Sequence, residues 1–146
     1  MKIKIIEDKN QEEKTLTIIT HSMTPELQNL VDELSGMDIQ GIYRGSDVLI
    51  SPSDVLFFET DQNIIYAHTT EKAYETRYRL YELEELLPHT FIRISKSSIA
   101  NVKEISAIEK SITSSRKISF FKTQKVVYVS RKYYPILKEK LNERSL

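Results

Sequence analysis

The chain has 146 residues, 40% of them hydrophobic, with 21 Lys/Arg balanced by 21 Asp/Glu and no cysteine. That length suits one domain, or one domain with an extension, that buries roughly 68–70% of its unfolded surface and needs no covalent or metal staple. The absence of thiols excludes disulfides, thiolate metal sites and cysteine nucleophiles; the apolar runs fall far short of the roughly 20 residues that span a bilayer, so a soluble, cytoplasmic protein is expected.

Residues 2–6 and 15–20 read as two short strands around a charged turn over residues 8–14. A helix follows: Thr24 suits its cap, Pro25 its first turn, Leu27, Leu30, Val31 and Leu34 make an apolar stripe, and Gly36 suits its end. These elements predict a small ββα unit over residues 1–45. The three glycines, Gly36, Gly41 and Gly45, mark a seam before a strand-rich domain over residues 46–146. Strands are predicted near residues 40–44, 47–50, 55–60, 64–69, 73–78, 91–94, 104–111, 117–121 and 125–129. Two helices interrupt them. One carries Leu80, Leu83, Leu86 and Leu87 and stops at Pro88; the other runs from about residue 131 to 142 with Tyr134, Leu137 and Leu141 inward. The fold class is therefore mainly β with short helices.

Enzyme signatures are thin. His21, His68 and His89 are too widely spaced for a helical ligand pair, so no metal site is expected, and His68 reads as an ordinary strand residue. No glycine-rich phosphate loop or nucleophile elbow occurs, and no cofactor is implied. Glu82, Glu84 and Glu85 read as the solvated face of a leucine-backed helix. The opening KIKIIEDK looks like the first strand and acidic pair of a phospho-accepting receiver, but too few βα units follow, leaving Glu7 and Asp8 as turn residues.

The zero net charge conceals segregation. Residues 1–50 hold five Lys/Arg against nine Asp/Glu, residues 51–90 three against eight, and residues 91–146 thirteen against four. A cationic last third suits an anionic partner, chiefly nucleic acid. Three polar clusters fall at element ends: Asp61, Gln62 and Asn63; Ser95, Lys96 and Ser97; and Ser130, Arg131 and Lys132. In the third, Ser130 suits an N-cap, which places Arg131 and Lys132 in a first helical turn where the macrodipole disfavours cations. A bound phosphate would reverse that cost. Arg93 reads as structural, salt-bridged or lying along the sheet.

From about residue 47 to 141 the segments SDVLFFET, YETRYRLYELEELLP, FIRISKSSIANVKEI and VYVSRKYYPILKEKL resemble, in order and spacing, the LytTR DNA-binding domain of bacterial transcription regulators. The resemblance implies an elongated stack of small antiparallel sheets that inserts loops into successive major grooves of double-stranded promoter DNA, with direct repeats as sites. It carries base reading to Gln62, Asn63, Lys96 and Arg131. Phosphate contacts fall to Ser95, Ser97, Lys103, Ser130, Lys132 and Tyr133. Ser95-Lys96 stands where many members have His-Arg, which retains the cation but loses the planar fork. With no receiver in the first 45 residues, the chain resembles stand-alone regulators, which implies a homodimer or a small inhibitory membrane protein as partner. Two other readings stay open: an RNA binder stacking bases on Phe57, Phe58, Phe120 and Phe121, and a protein-interaction module with no use for the cations.

Overall fold

A computed structural model describes residues 3–10, 16–35, 38–110 and 114–144. In chain order its elements are α1 (Pro25–Ser35), β1 (Ile39–Tyr43), β2 (Ser46–Ile50), β3 (Phe57–Asp61), β4 (Ile64–His68), β5 (Ala73–Thr76), α2 (Leu80–Leu86), β6 (Phe91–Ser95), β7 (Ser98–Asn101), β8 (Ile105–Glu109), β9 (Arg116–Phe120), β10 (Val126–Val129) and α3 (Tyr134–Arg144). The strands form two antiparallel sheets, one of seven strands in the order β2-β1-β5-β4-β3-β7-β6 and one in the order β10-β9-β8. No described helix is long and apolar enough to cross a membrane.

The N-terminal expectation is met in its helix and corrected in its strands. Thr24 caps α1, its Oγ1 accepting from the Leu27 N–H at 3.1 Å, and Pro25 opens the helix where a missing N–H leaves nothing unsatisfied. Gly36 lies outside the described residues, as do Lys2 and Thr15. Residues 3–6 and 16–20 form no strand, and Ile3, Ile5, Ile6 and Ile19 are exposed. Alternation alone does not make a ladder, because an isolated hairpin lacks the third strand or packed helix that would stabilise it. The acidic pair, expected in a turn, directly precedes one at residues 9–10, Asp8 Oδ1 accepting from the Asn10 N–H.

The expected division after residue 45 falls inside a hairpin. β1 pairs along its length with β2 and touches β5 at Ile42↔Glu75, so it belongs to the seven-stranded sheet. Arg44 and Gly45 turn the chain with φ of 50° and 79°. Gly41 lets Ile50 pack close: a Cβ there would stand 2.5 Å from Ile50 Cδ1 and make that side-chain end shift.

The seven-stranded sheet separates two cores, and adjacent phenylalanines enter one each. Phe57 joins Leu56, Ile94, Ile118, Phe120, Val127 and Leu137 between the sheets and α3. Phe58 joins Ile39, Ile50, Leu80, Leu83 and Leu87 beneath α2. Each such side chain, fully buried, stabilises the fold by about 1.5–3 kcal/mol.

Two elements of the strand-rich half depart from the sequence reading. β7 begins at Ser98, within the run read as a polar turn; Ser98 is buried, its hydroxyl donating to Glu59 Oε2 at 3.4 Å, so a small polar side chain fits a strand interior. α3 starts at Tyr134, three residues later than predicted, because Pro135 has no N–H to offer the Arg131 carbonyl. Arg131–Tyr133 form a separate turn, in which the Ser130 carbonyl accepts from the N–H groups of Tyr133 (3.1 Å) and Tyr134 (3.0 Å).

Candidate nucleic-acid interface

The site is built from three turns at one end of the sheets. Between β3 and β4 the pair Asp61↔Ile64 leaves Gln62 and Asn63 as a two-residue loop with φ of 50° and 67°. Two left-handed residues give the hairpin turn that matches strand twist. Asn adopts this conformation readily; a residue such as Gln62 pays roughly 1 kcal/mol for it. Both side chains are exposed.

Between β6 and β7 the pair Ser95↔Ser98 leaves Lys96 and Ser97 as the tip, after a register shift between Arg93 and Ser95. Ser95 Oγ accepts from the Ser97 N–H at 3.1 Å, so this hydroxyl braces the turn. Lys96 and Ser97 are exposed, and Ser95 is half-buried.

Two backbone hydrogen bonds draw the turns together. The Thr60 N–H donates to the Ser97 carbonyl at 2.9 Å, setting the Gln62/Asn63 loop beside the Lys96 tip. The Ser130 N–H donates to the Ile94 carbonyl at 2.8 Å, setting the Arg131 turn on the other side of it. Arg131 and Lys132 are exposed; Tyr133 is half-buried against the core, with the Lys132 ammonium 5.8 Å from its ring centroid. Gln62, Asn63, Lys96, Ser97, Arg131 and Lys132 therefore share one edge. The N-cap reading of the third cluster is corrected: Arg131 and Lys132 precede α3, and Ser130 acts through its backbone.

Lys103 is not brought to this edge. It follows β7 at the opposite end of that strand, exposed, with its N–H held by Asn101 Oδ1 at 3.2 Å. Sequence reasoning passed over Arg116, which opens β9 opposite Val129 and sets its guanidinium 4.0 Å from the Tyr134 ring centroid, bracing the turn that carries Arg131. Only the β9–β10 pairing reveals it.

Glu59 is the acidic neighbour of the tips. Burial raises its carboxyl, the Ser98 hydroxyl opposes that, and the charge of Asp61 adds to it. Away from the tips, His68 stacks on Phe57 with centroids 4.4 Å apart; burial first, and the charge of Lys125 second, push its imidazole down to about 4. Lys125 Nζ lies 3.4 Å from His68 Nδ1 and donates to the Lys72 carbonyl at 2.6 Å, fastening the smaller sheet to the β4–β5 turn. Among the described residues no group of three or more His, Asp or Glu is placed to hold a metal. Of the four phenylalanines considered as stacking platforms, Phe57, Phe58 and Phe120 are buried and Phe121 is 49% exposed.

Fold and edge define a binding module built from strands and their turns. Among the described residues five strands separate α1 from α2 and five separate α2 from α3, so no helix-turn-helix is formed. Residues 45–142 match the LytTr DNA-binding domain, and the chain belongs to that family. A LytTr DNA-binding domain from Bacillus cereus superimposes with a TM-score of 0.65 at 28% identity, over 71% of this chain and 95% of that one. HTH-type transcriptional regulators of Staphylococcus aureus strains NCTC 8325 / PS 47 and MRSA252 are 30% and 29% identical over 148 residues, 97% of this chain and 99% of theirs. The family is one of DNA-binding domains, not of enzymes.

Proposed function

We propose that the protein is a sequence-specific transcription regulator that reads the major groove of double-stranded DNA with its three turns. The observation that carries this reading is the pair of hydrogen bonds, Thr60 to Ser97 and Ser130 to Ile94, that gathers amides, a lysine and an arginine on one edge. Arg131 makes a bidentate contact to guanine O6/N7, Lys96 reaches guanine or a phosphate, and the Gln62 and Asn63 amides suit adenine N6/N7. Ser95, Ser97, Ser130, Lys132 and Tyr133 hold the backbone and fix register. Lys103 stands outside this set.

A single-stranded RNA reading is disfavoured by the burial of Phe57, Phe58 and Phe120, which removes the aromatic platforms it needs. Ahead of α1, exposed Ile3, Ile5, Ile6 and Ile19 on a stretch whose four lysines balance four Asp/Glu favour a protein partner there, a second copy or an inhibitory membrane protein.

The test is duplex binding followed across salt, with the region upstream of its own gene as first probe and a randomised duplex as competitor. The expected preference is about 10³-fold or more, on a steep salt dependence. Equal affinity for both duplexes, or tighter binding to single strands, would remove the proposal.

A further inference from the structure

The carbonyls at the Lys96 tip accept from a neighbouring turn and from a side chain of β6 itself. The Ile94 carbonyl accepts from Ser130. The next two accept from one side chain: Arg93 donates from Nε to the Ser95 carbonyl at 2.7 Å and from a terminal nitrogen to the Lys96 carbonyl at 2.6 Å. Its other terminal nitrogen meets the Glu84 carboxylate on α2. Glu84 is thus a partner and not merely a solvated face, and the ion pair expected for Arg93 is present.

The N–H donors of a guanidinium lie in one plane with fixed directions, and with each of its three nitrogens engaged the fork cannot turn outward without giving up these bonds. With its side chain only 25% exposed, Arg93 spends its hydrogen bonds inward, on the backbone of the tip. α2 in turn is anchored by the buried Leu80 and Leu83, which makes Glu84 a fixed post. The register shift after Arg93 explains the need for it. Where the ladder slips between Arg93 and Ser95 the regular pairing is interrupted one residue before the tip, and the side chain of Arg93 ties the two sides of that irregularity together.

We propose that Arg93, held by Glu84, is a positioning residue of the DNA interface: it sets the backbone of the β6–β7 turn, and so the base preference at Lys96, without touching DNA. This rests on the DNA reading above. It also accounts for how a lysine, whose single ammonium lacks a planar fork, is aimed: direction comes from the turn that carries it and not from the group itself.

The experiment compares wild type, Arg93→Lys, Arg93→Ala and Glu84→Gln on a duplex selected by the wild type from a random pool and on random duplex, across salt. Arg93→Lys keeps the charge but cannot reach three acceptors. Its discrimination between the duplexes is expected to fall about tenfold with the salt slope unchanged, and that of Glu84→Gln about threefold. Wild-type discrimination in Arg93→Lys would overturn the proposal. So would a salt slope lowered by about one in Arg93→Ala and restored in Arg93→Lys, the mark of a direct phosphate contact. Amide resonances of the free protein separate the two readings. In Arg93→Lys those of Lys96, Ser97 and Ser98 are expected to shift while those of β9 and β10 stay. If the wild type selects no sequence, the DNA reading fails and the resonances still decide the clamp; unmoved resonances sink it.

Discussion

The Ser130 N–H donates to the Ile94 carbonyl at 2.8 Å, joining the end of β10 to the end of β6. Arg131 is the next residue after one partner and Lys96 the second after the other, so this single bond makes neighbours of two cations from different sheets. The backbone fixes where the two side chains start; their flexible stems set how far apart the charges lie.

Arg131 and Lys132 are expected to fail differently. Arg131→Ala should weaken the selected duplex by about 1–3 kcal/mol, the worth of a bidentate guanine contact, with little change on random DNA. Lys132→Ala should weaken both duplexes alike and lower the salt slope by about one. Binding isotherms at several salt concentrations check both, and equal losses in the two variants would remove the separate roles.

Gln62 holds a left-handed conformation that glycine adopts without penalty. Gln62→Gly is expected to raise unfolding stability by about 1 kcal/mol while weakening the selected duplex. Asn63→Gly should stabilise less, since Asn tolerates that region. Urea unfolding and binding measured on the same preparations decide it; a Gln62→Gly protein that binds as tightly as wild type would show that this amide reads nothing.

Asn101 is buried, its Nδ2 donating to the Val55 carbonyl at 3.0 Å and its Oδ1 accepting from the Lys103 N–H at 3.2 Å. Asn101→Ala leaves a buried carbonyl without its side-chain donor and should destabilise by about 1–3 kcal/mol. Because Asn101 lies at the end of β7 away from the tips, base preference among folded molecules should not change. Denaturant midpoints and competition binding test the two halves of that statement.

His68 gives stability a pH dependence of predictable sign. Its folded value of about 4 lies below the ordinary 6.5, so between the two the unfolded chain binds a proton that the folded protein refuses. The contribution is complete above about pH 6.5, diminishes as pH falls through the window and is gone below about 4. With the ring partly open to solvent the loss should be about 1–2 kcal/mol. His68→Phe should flatten the profile between these limits in denaturant titrations; an unchanged slope would mean that another group is responsible.

Much of the strand-rich half was legible because alternation there coincides with real partners: β3, β4, β6, β9 and β10 fall close to their predicted spans. The same pattern misled at residues 3–6 and 16–20, which pair with no strand among the described residues. Ser98 was read as turn because polarity was taken for exposure, yet one hydrogen bond to Glu59 buries it in β7. Pro135 was visible, but its effect on the start of α3 depends on which carbonyl it fails to serve. The polar tips could be named from composition at element ends. That they adjoin could not, since Thr60–Ser97 and Ser130–Ile94 are bonds between residues far apart in sequence. The Arg93–Glu84 link was hidden for the same reason.

The family match opens at residue 45, whereas β1 ends at Tyr43. A fragment trimmed to that match would remove the strand between β2 and β5, leave β2 without its only ladder partner, uncover the flank of β5 and take away the Ile39 and Gly41 against which Ile50 packs. A fragment begun at residue 45 is therefore expected to unfold at a lower denaturant midpoint than one begun at Ile39 and to self-associate through the bared edge of β5.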